Sequence, residues 1–304
     1  LLFEIENQKI SSFIIQFNYG FFNFNDFEEL INKLSHKNIN IIIFIHSTID
    51  PKDNAFKKIS LLSNELALCK RILVHSVSDL NRLKDLNLID NVSLFPHGIL
   101  ESNLYKRKND YKKYKNQELH FSTFGFCLPN KGFEELIKAI SILRNDNILC
   151  RLTLYTSLYD TQSSYELLNN LNLLIHHLNL KRYVQINSSF LTDDEIFSKL
   201  SNTDLVVFPY QSTNESASGA ARQAISAMVP VAVTPLSIFN DITDVVYTLP
   251  GCSSASIASG LVEWLDNYFG VPMSENEISW REQHSYKILS YRLKGMIRSL
   301  EMND

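Results

Sequence analysis

The stretch "DLVVFPYQSTNESASGAARQAISAM" (Asp204–Met228) decides the fold. A run of apolar β-formers, Leu205–Phe208, stops at Pro209, which cannot extend a central hydrogen-bonded ladder. Small polar residues follow around one carboxylate, Glu215. A helix built from small residues comes next. A buried strand passing directly into a helix is the repeating step of a parallel α/β sheet. A plain turn needs neither a lone acid nor Ser-Ala-Ser-Gly. Bare amides at a helix start, however, can hold an anion.

The same step recurs on both sides of this junction. "FIIQF" (13–17) predicts a strand and "DFEELINKL" (26–34) a helix capped by Asn25 or Asp26. "INIIIFIH" (39–46) is apolar at every strand position, as in a sheet covered on both faces. "KISLLSNELALCK" predicts a helix, and "RILVHS" and "NVSLFPHG" predict strands. The rhythm breaks at "YKRKNDYKKYKNQ" (105–117), with six Lys/Arg, one Asp and no apolar period. It resumes with "LHFSTFGF", "KGFEELIKAISIL", "CRLTLYTS" and "YVQINSSF". Thr192 with Glu195 reads as a capping box. "SWREQHSYKILSYRLKGMIRSL" predicts one long amphipathic helix. The organisation expected is therefore a Rossmann-like unit over 1–104, a basic linker over 105–118, a second such unit over 119–275 and a crossing-back helix over 276–304.

Bulk properties narrow the function. A chain of 304 residues with formal charge -4 has no global positive field for nucleic acid. Its four scattered cysteines contain no CxxC pair, so neither structural zinc nor a disulfide framework is expected, and a cytoplasmic setting fits. The tract 105–117 is a solvated linker by its charge, and also a candidate for peripheral contact with anionic lipid at the inner face of a membrane. The chain opens on Leu1, so we expect it to be a piece of a longer polypeptide.

In open α/β sheets ligands sit beyond the carboxyl ends of the strands. Two junctions there suit a diphosphate. In "GFCLPNKGFEEL" a strand ends at Gly125 and Lys131 precedes a helix. In the opening stretch, Ser216, Ser218 and Gly219 leave amides accessible. Neither is GxxxxGK[ST] or GxGxxG, which removes support for nucleoside-triphosphate hydrolysis and NAD binding.

The order "VHS…NVSLFPHG…FGFCLPNKGFEELIKAI…DLVVFPYQSTNESASGAARQAISAMVPVAVTP" resembles the retaining GT-B glycosyltransferases of family 4, in a bacterial subgroup that builds surface polysaccharides. The resemblance is most specific from Arg71 to Pro235. It implies two Rossmann-like, doubly wound domains facing a cleft. It implies transfer of a sugar from a UDP- or GDP-linked donor to a glycan or lipid-linked acceptor, with no cofactor and no metal. Glu215 matches the acid that faces the donor sugar. The acid that usually holds the ribose falls on Gln223, a departure. Lys131 matches the diphosphate lysine, whereas the arginine after Gly125 is replaced by Phe126, and Arg222 is the substitute cation expected. His46 matches a histidine facing the sugar, and His75 and His97 match positions near the domain junction. Phe190 and Leu191 lie where the family clasps the base. Asn18 and Tyr19, at a strand end, are candidates for the acceptor side.

The family's first domain normally opens with a strand and a glycine-rich loop absent here, so we expect an incomplete first domain with an unpaired sheet edge. Two rival functions stay open. One is a non-catalytic GT-B module that binds glycan or scaffolds a larger enzyme. The other is a sugar-nucleotide epimerase of the same fold.

Overall fold

A computed structural model describes residues 2–52, 54–101 and 117–302. The linker and lipid contact expected at 105–117 lie, but for Gln117, outside the described residues. The chain divides into two compact units. The first comprises Leu1–Gly98, Asn214–Ala217 and Tyr286–Asp304, and the second Ile99–Thr213 and Ser218–Ser285.

In chain order the first unit contains α1 (Leu2–Asn7), β1 (Ser12–Phe17), α2 (Phe24–His36) and β2 (Asn40–Ile45). A 3-10 turn, Ile59–Leu62, then runs into α3 (Ser63–Ala67), followed by β3 (Arg71–Val74), α4 (Val77–Lys84) and β4 (Val92–Leu94). The second unit contains β5 (Leu119–Phe124), α5 (Phe133–Asn145), β6 (Cys150–Tyr155), α6 (Gln162–His177), β7 (Val184–Asn187) and α7 (Asp193–Leu200). It continues with β8 (Leu205–Phe208), α8 (Gly219–Ser226), β9 (Val231–Val233), β10 (Tyr247–Thr248), α9 (Ser254–Asn267) and α10 (Glu275–Gln283). The chain returns to the first unit as α11 (Tyr286–Glu301).

The first sheet is parallel and runs β1-β2-β3-β4. β2 shows why its sequence is apolar throughout. Ile41, Ile43 and Ile45 pack into one core with Phe27 and Ile31 of α2, Leu66 of α3 and Leu83 of α4. Ile42 and Phe44 point the other way, into a smaller core with Leu73, Phe95 and Leu289 of α11. Every crossover steps in the same direction. Right-handed connections therefore stack their helices on one face. The opposite face is covered by α11, through Leu289, Leu293 and Met296. β1 is an edge strand, with Ile14 exposed.

Local chemistry shifts several expected boundaries. α2 starts earlier than Asn25, because the Asn23 side chain caps it by accepting from the Asn25 amide. The helix expected at 58–70 is reduced to a 3-10 turn and the single turn of α3. The expected C-terminal helix is two. It breaks at Ser285, where Ile99 pairs with the chain and its N–H donates to the His284 carbonyl at 2.9 Å. The Thr192–Glu195 capping box forms at the start of α7.

The second sheet is parallel in the order β10-β9-β8-β5-β6-β7. The chain winds outward from β5 through β6 to β7, then returns to lie against the other side of β5 as β8 and winds the opposite way. The core beneath β5 and β6 is filled by α5 and α9, with Leu136, Ile140, Leu261 and Trp264 buried.

One buried group in this sheet makes a pH prediction. His120 of β5 lies 2.8 Å from the Thr153 hydroxyl, and burial, aided by the Arg151 cation, pushes its imidazole down to about 4. The unfolded chain takes this proton near 6.5. Its contribution is therefore fully present above pH 6.5 and is lost as pH falls toward 4. Urea midpoints of the native chain will decline across that window, and a His120→Asn variant will decline less steeply.

Candidate functional site

The reversal of winding between β5 and β8 brings the loops after these two strands side by side. That is where open α/β sheets place ligands. The contact between the loops is intimate. The Gln211 amide donates to the Asn130 carbonyl at 2.8 Å. Gly132, the N-cap of α5, has φ +75°, and a Cβ there would stand 1.7 Å from the Pro209 carbonyl oxygen. Only glycine fits, for conformation and for space. This packing lays Lys131 against Tyr210, with Nζ 4.0 Å from the ring centroid. A cation over an aromatic face is held at the mouth of the sheet.

Beside it, α8 starts at an open backbone. Ser218 is buried, and its hydroxyl caps the helix by accepting from the Ala221 amide at 3.2 Å. A Cβ at Gly219 would meet nothing within 4 Å. A Cβ at Gly125 would meet only Ala220 Cβ, at 3.9 Å. Lys131, Tyr210 and the glycine-lined start of α8 thus form a small cationic platform within the second unit.

The two departures from the family pattern have structural answers. Gln223 donates through Nε2 to Asp193 Oδ1 at 2.7 Å, so a carboxylate from the first turn of α7 stands at this position. Phe126 is exposed and meets the Tyr159 ring edge-on at 5.6 Å. The expectation for Arg222 is corrected. Its side chain is 2 % exposed, pairs with Asp241 and donates to the Ser218 carbonyl at 3.1 Å. Burial holds the Asp241 carboxyl above its ordinary range, the pull of Arg222 offsetting this only in part. This buried guanidinium pairs with a half-buried acid and holds the start of α8 from within, rather than facing a diphosphate. Phe190 is 78 % exposed in the loop after β7, and Leu191 packs on the α8 core.

In the first unit, three imidazoles stand just beyond adjacent parallel strands. His46 follows β2, His75 follows β3 and His97 lies past β4, with ring centroids 5.1 and 5.3 Å apart in sequence. His46 Nε2 lies 2.8 Å from Gln16 Oε1, and burial pushes its imidazole down, favouring the neutral form. His75 is buried, with Nδ1 3.0 Å from the Phe95 carbonyl oxygen.

Of the two acceptor-side expectations, the one for Tyr19 is corrected by burial. The Tyr19 ring lies in the core against Phe17 and Phe24, and its hydroxyl donates to Asp50 at 2.9 Å. Asn18 caps its own turn by accepting from the Gly20 amide at 3.0 Å.

Asn214–Ala217 belongs to this unit. Ser47 donates to the Asn214 carbonyl at 2.6 Å, and Ser216 hydrogen-bonds Asp79. Asp79 is itself buried, accepting from Thr48 Oγ1 at 2.5 Å and pairing with Arg82 at 2.9 Å. Burial pushes its carboxyl up, but the hydrogen bonds from Ser76, Thr48 and Ser216 together with Arg82 outweigh this and hold it low. Between these two anchors Glu215 is exposed. Ser47 was not marked locally because its partner Asn214 lies far along the chain, whereas Asp79 joins near partners, Ser76 and Arg82, to the distant Thr48 and Ser216.

Among the described residues no group of three or more His, Cys, Asp or Glu is arranged to hold a metal ion, and no helix is long and apolar enough to cross a membrane.

No protein-family model and no curated protein matches the chain. Solved structures do. A sucrose-phosphate synthase from Thermosynechococcus elongatus superposes with TM-score 0.75 at 14% identity, over 100% of this chain and 77% of that one. HepE from Anabaena, in complex with UDP, gives 0.73 at 12% identity over 94% and 78%. A glycosyltransferase from Rickettsia africae gives 0.72 at 12% identity over 99% and 79%. At such identities the likeness is one of fold, and it is the α/β GT-B architecture with two parallel-sheet domains.

Two variants check this geometry. Gly132→Ala forces a side chain into the Pro209 backbone and a left-handed φ, and will lower stability by more than about 2 kcal/mol in chemical denaturation. Asp241→Ala leaves Arg222 buried without its acid and will cost about 3–5 kcal/mol by the same measurement.

Proposed function

We propose that the chain is a retaining GT-B glycosyltransferase, moving a sugar from a UDP- or GDP-linked donor to a glycan or lipid-linked acceptor in bacterial polysaccharide synthesis. The observation that carries this reading is the platform of Lys131, Tyr210 and the open start of α8 at the point where the second sheet reverses. The UDP in the HepE structure supports the choice of donor.

Glycosyl transfer leaves positive charge on the anomeric carbon and negative charge on the departing diphosphate. The proposed step breaks the bond from anomeric carbon to diphosphate oxygen and forms the bond to the acceptor oxygen on the same face. The acceptor's proton passes to the leaving phosphate. Lys131 and the amides of Gly219 and its neighbours stabilise the leaving group. Gly125 keeps the adjacent backbone low. Gln223, with Asp193 behind it, takes the ribose hydroxyls, and the loop of Phe190 and Leu191 takes the base. Glu215 orients sugar hydroxyls, Ser216 offers its amide to the donor while its hydroxyl holds Asp79, and the half-buried His46, its imidazole pushed toward the neutral form, accepts a further hydroxyl. No step requires a metal.

A second reading is favoured by one observation: the cation expected to replace the missing arginine, Arg222, is locked against Asp241. With Lys131 as the remaining family-matched cation, a non-catalytic module of the same fold would bind nucleotide weakly or not at all.

Calorimetric titration of UDP and GDP into the full-length protein separates the two. Micromolar binding that Lys131→Ala weakens tenfold or more supports transfer, and absence of binding supports the module. In nucleotide-sugar assays, Glu215→Ala will bind the nucleotide almost as the native chain does yet lose at least about 100-fold in kcat, the scale on which one preorganised polar group acts. Unchanged turnover would remove Glu215 from the step.

A further inference from the structure

The outer face of α11 is unlike any surface the nucleotide site explains. Leu289, Leu293 and Met296 point inward to the first sheet. On the opposite side, Tyr291 stands at the centre, 63 % exposed. Lys287, Lys294 and Arg298 lie at helical spacings of four, three and four around it, and so share its face. Ile288, 37 % exposed, and Arg292 flank it on the other side. The four cations of this helix form no ion pair among the described residues. The helix's one acid, Glu301, is turned aside to accept from Ser11 and Ser12 at 2.9 and 3.1 Å.

We propose that this face of α11 docks on an anionic lipid surface. Four Lys/Arg around an exposed tyrosine on the outward face of a helix form the kind of basic cluster that anionic headgroups attract, and the contact is electrostatic and peripheral because the apolar side of α11 is already packed on the first sheet. Tyrosine suits the headgroup level, because its ring is apolar and its hydroxyl wet. Nucleic acid would use the same cations but has no use for Ile288 beside them. Net charge of -4 for the chain makes this local positive face a directed surface rather than part of a general field. The inference does not depend on the nucleotide site.

The test is flotation of the full-length protein with vesicles of phosphatidylcholine alone or with about one-third phosphatidylglycerol added. The native chain will bind the anionic vesicles only, and salt will release it. A Lys287→Glu/Arg298→Glu double variant, shown to be folded by its circular dichroism and melting temperature, will bind at least about 25-fold more weakly, at roughly fivefold per cation lost. Tyr291→Ser will weaken binding several-fold without changing its salt dependence. The proposal is overturned if the two vesicle types bind equally or neither binds. It is also overturned if the double variant binds as the native chain does, which would assign the lipid contact to another segment such as 105–117. Duplex DNA binding as tight as vesicle binding at the same salt, with Tyr291→Ser indistinguishable from native, would replace lipid by a polyanion and overturn it too. UDP binding, measured in parallel on the double variant, will be unchanged.

Discussion

The site depends on one constraint: β5 and β8 are neighbours, although β6 and β7 lie between them in sequence. Because winding reverses there, two loops that the chain makes far apart are pressed together above the sheet. The absence of a side chain at Gly132 allows it, since the Pro209 carbonyl occupies the space a Cβ would need. Once the loops are joined, the position of Lys131 over Tyr210 follows, and so does the free space at Gly219.

Charge is handled in two contrasting ways around this point. Lys131 is left at the mouth of the sheet over an aromatic face, where it can meet an anion. Arg222, only a few positions into α8, is taken inside and neutralised by Asp241. A buried cation of this kind specifies one placement of its helix, because the alternative is an unpaired charge away from water. The same logic fixes Asp79 in the first unit, where several donors hold a buried carboxylate ionised. In each case the buried ion positions backbone, while Glu215 is exposed and Lys131 half-buried.

How much of this was legible in the sequence follows from the range of each interaction. β2 could be read because both its faces are buried, so apolar residues appear at every position of "NIIIFI". The β8–α8 junction and the Thr192–Glu195 cap were legible because proline, glycine and the capping acid act over three or four residues. The break at Ser285 was not, because it is made by Ile99. Arg222 was misassigned because its partner Asp241 sits on a 3-10 segment, Ser237–Val245, whose pairing with α8 is made by tertiary contact and not by local spacing. Tyr19 next to a strand end resembled a ligand contact, yet the surrounding Phe17 and Phe24 make it core. Nor could the pairing of Gln223 with Asp193 be inferred, since it joins two helix starts from different crossovers.

The single-direction winding of the first sheet has a consequence for how the chain comes to be folded. Its helices α2, α3 and α4 can cover one side as soon as they are synthesised, but the other side waits for α11, which emerges only after the entire second unit has been made. Until then Ile42, Phe44, Leu73 and Phe95 form a bare greasy strip on a nascent sheet, the kind of surface that ribosome-associated chaperones shield. Premature termination anywhere before the last helix would therefore yield a sticky half-molecule rather than a smaller stable one.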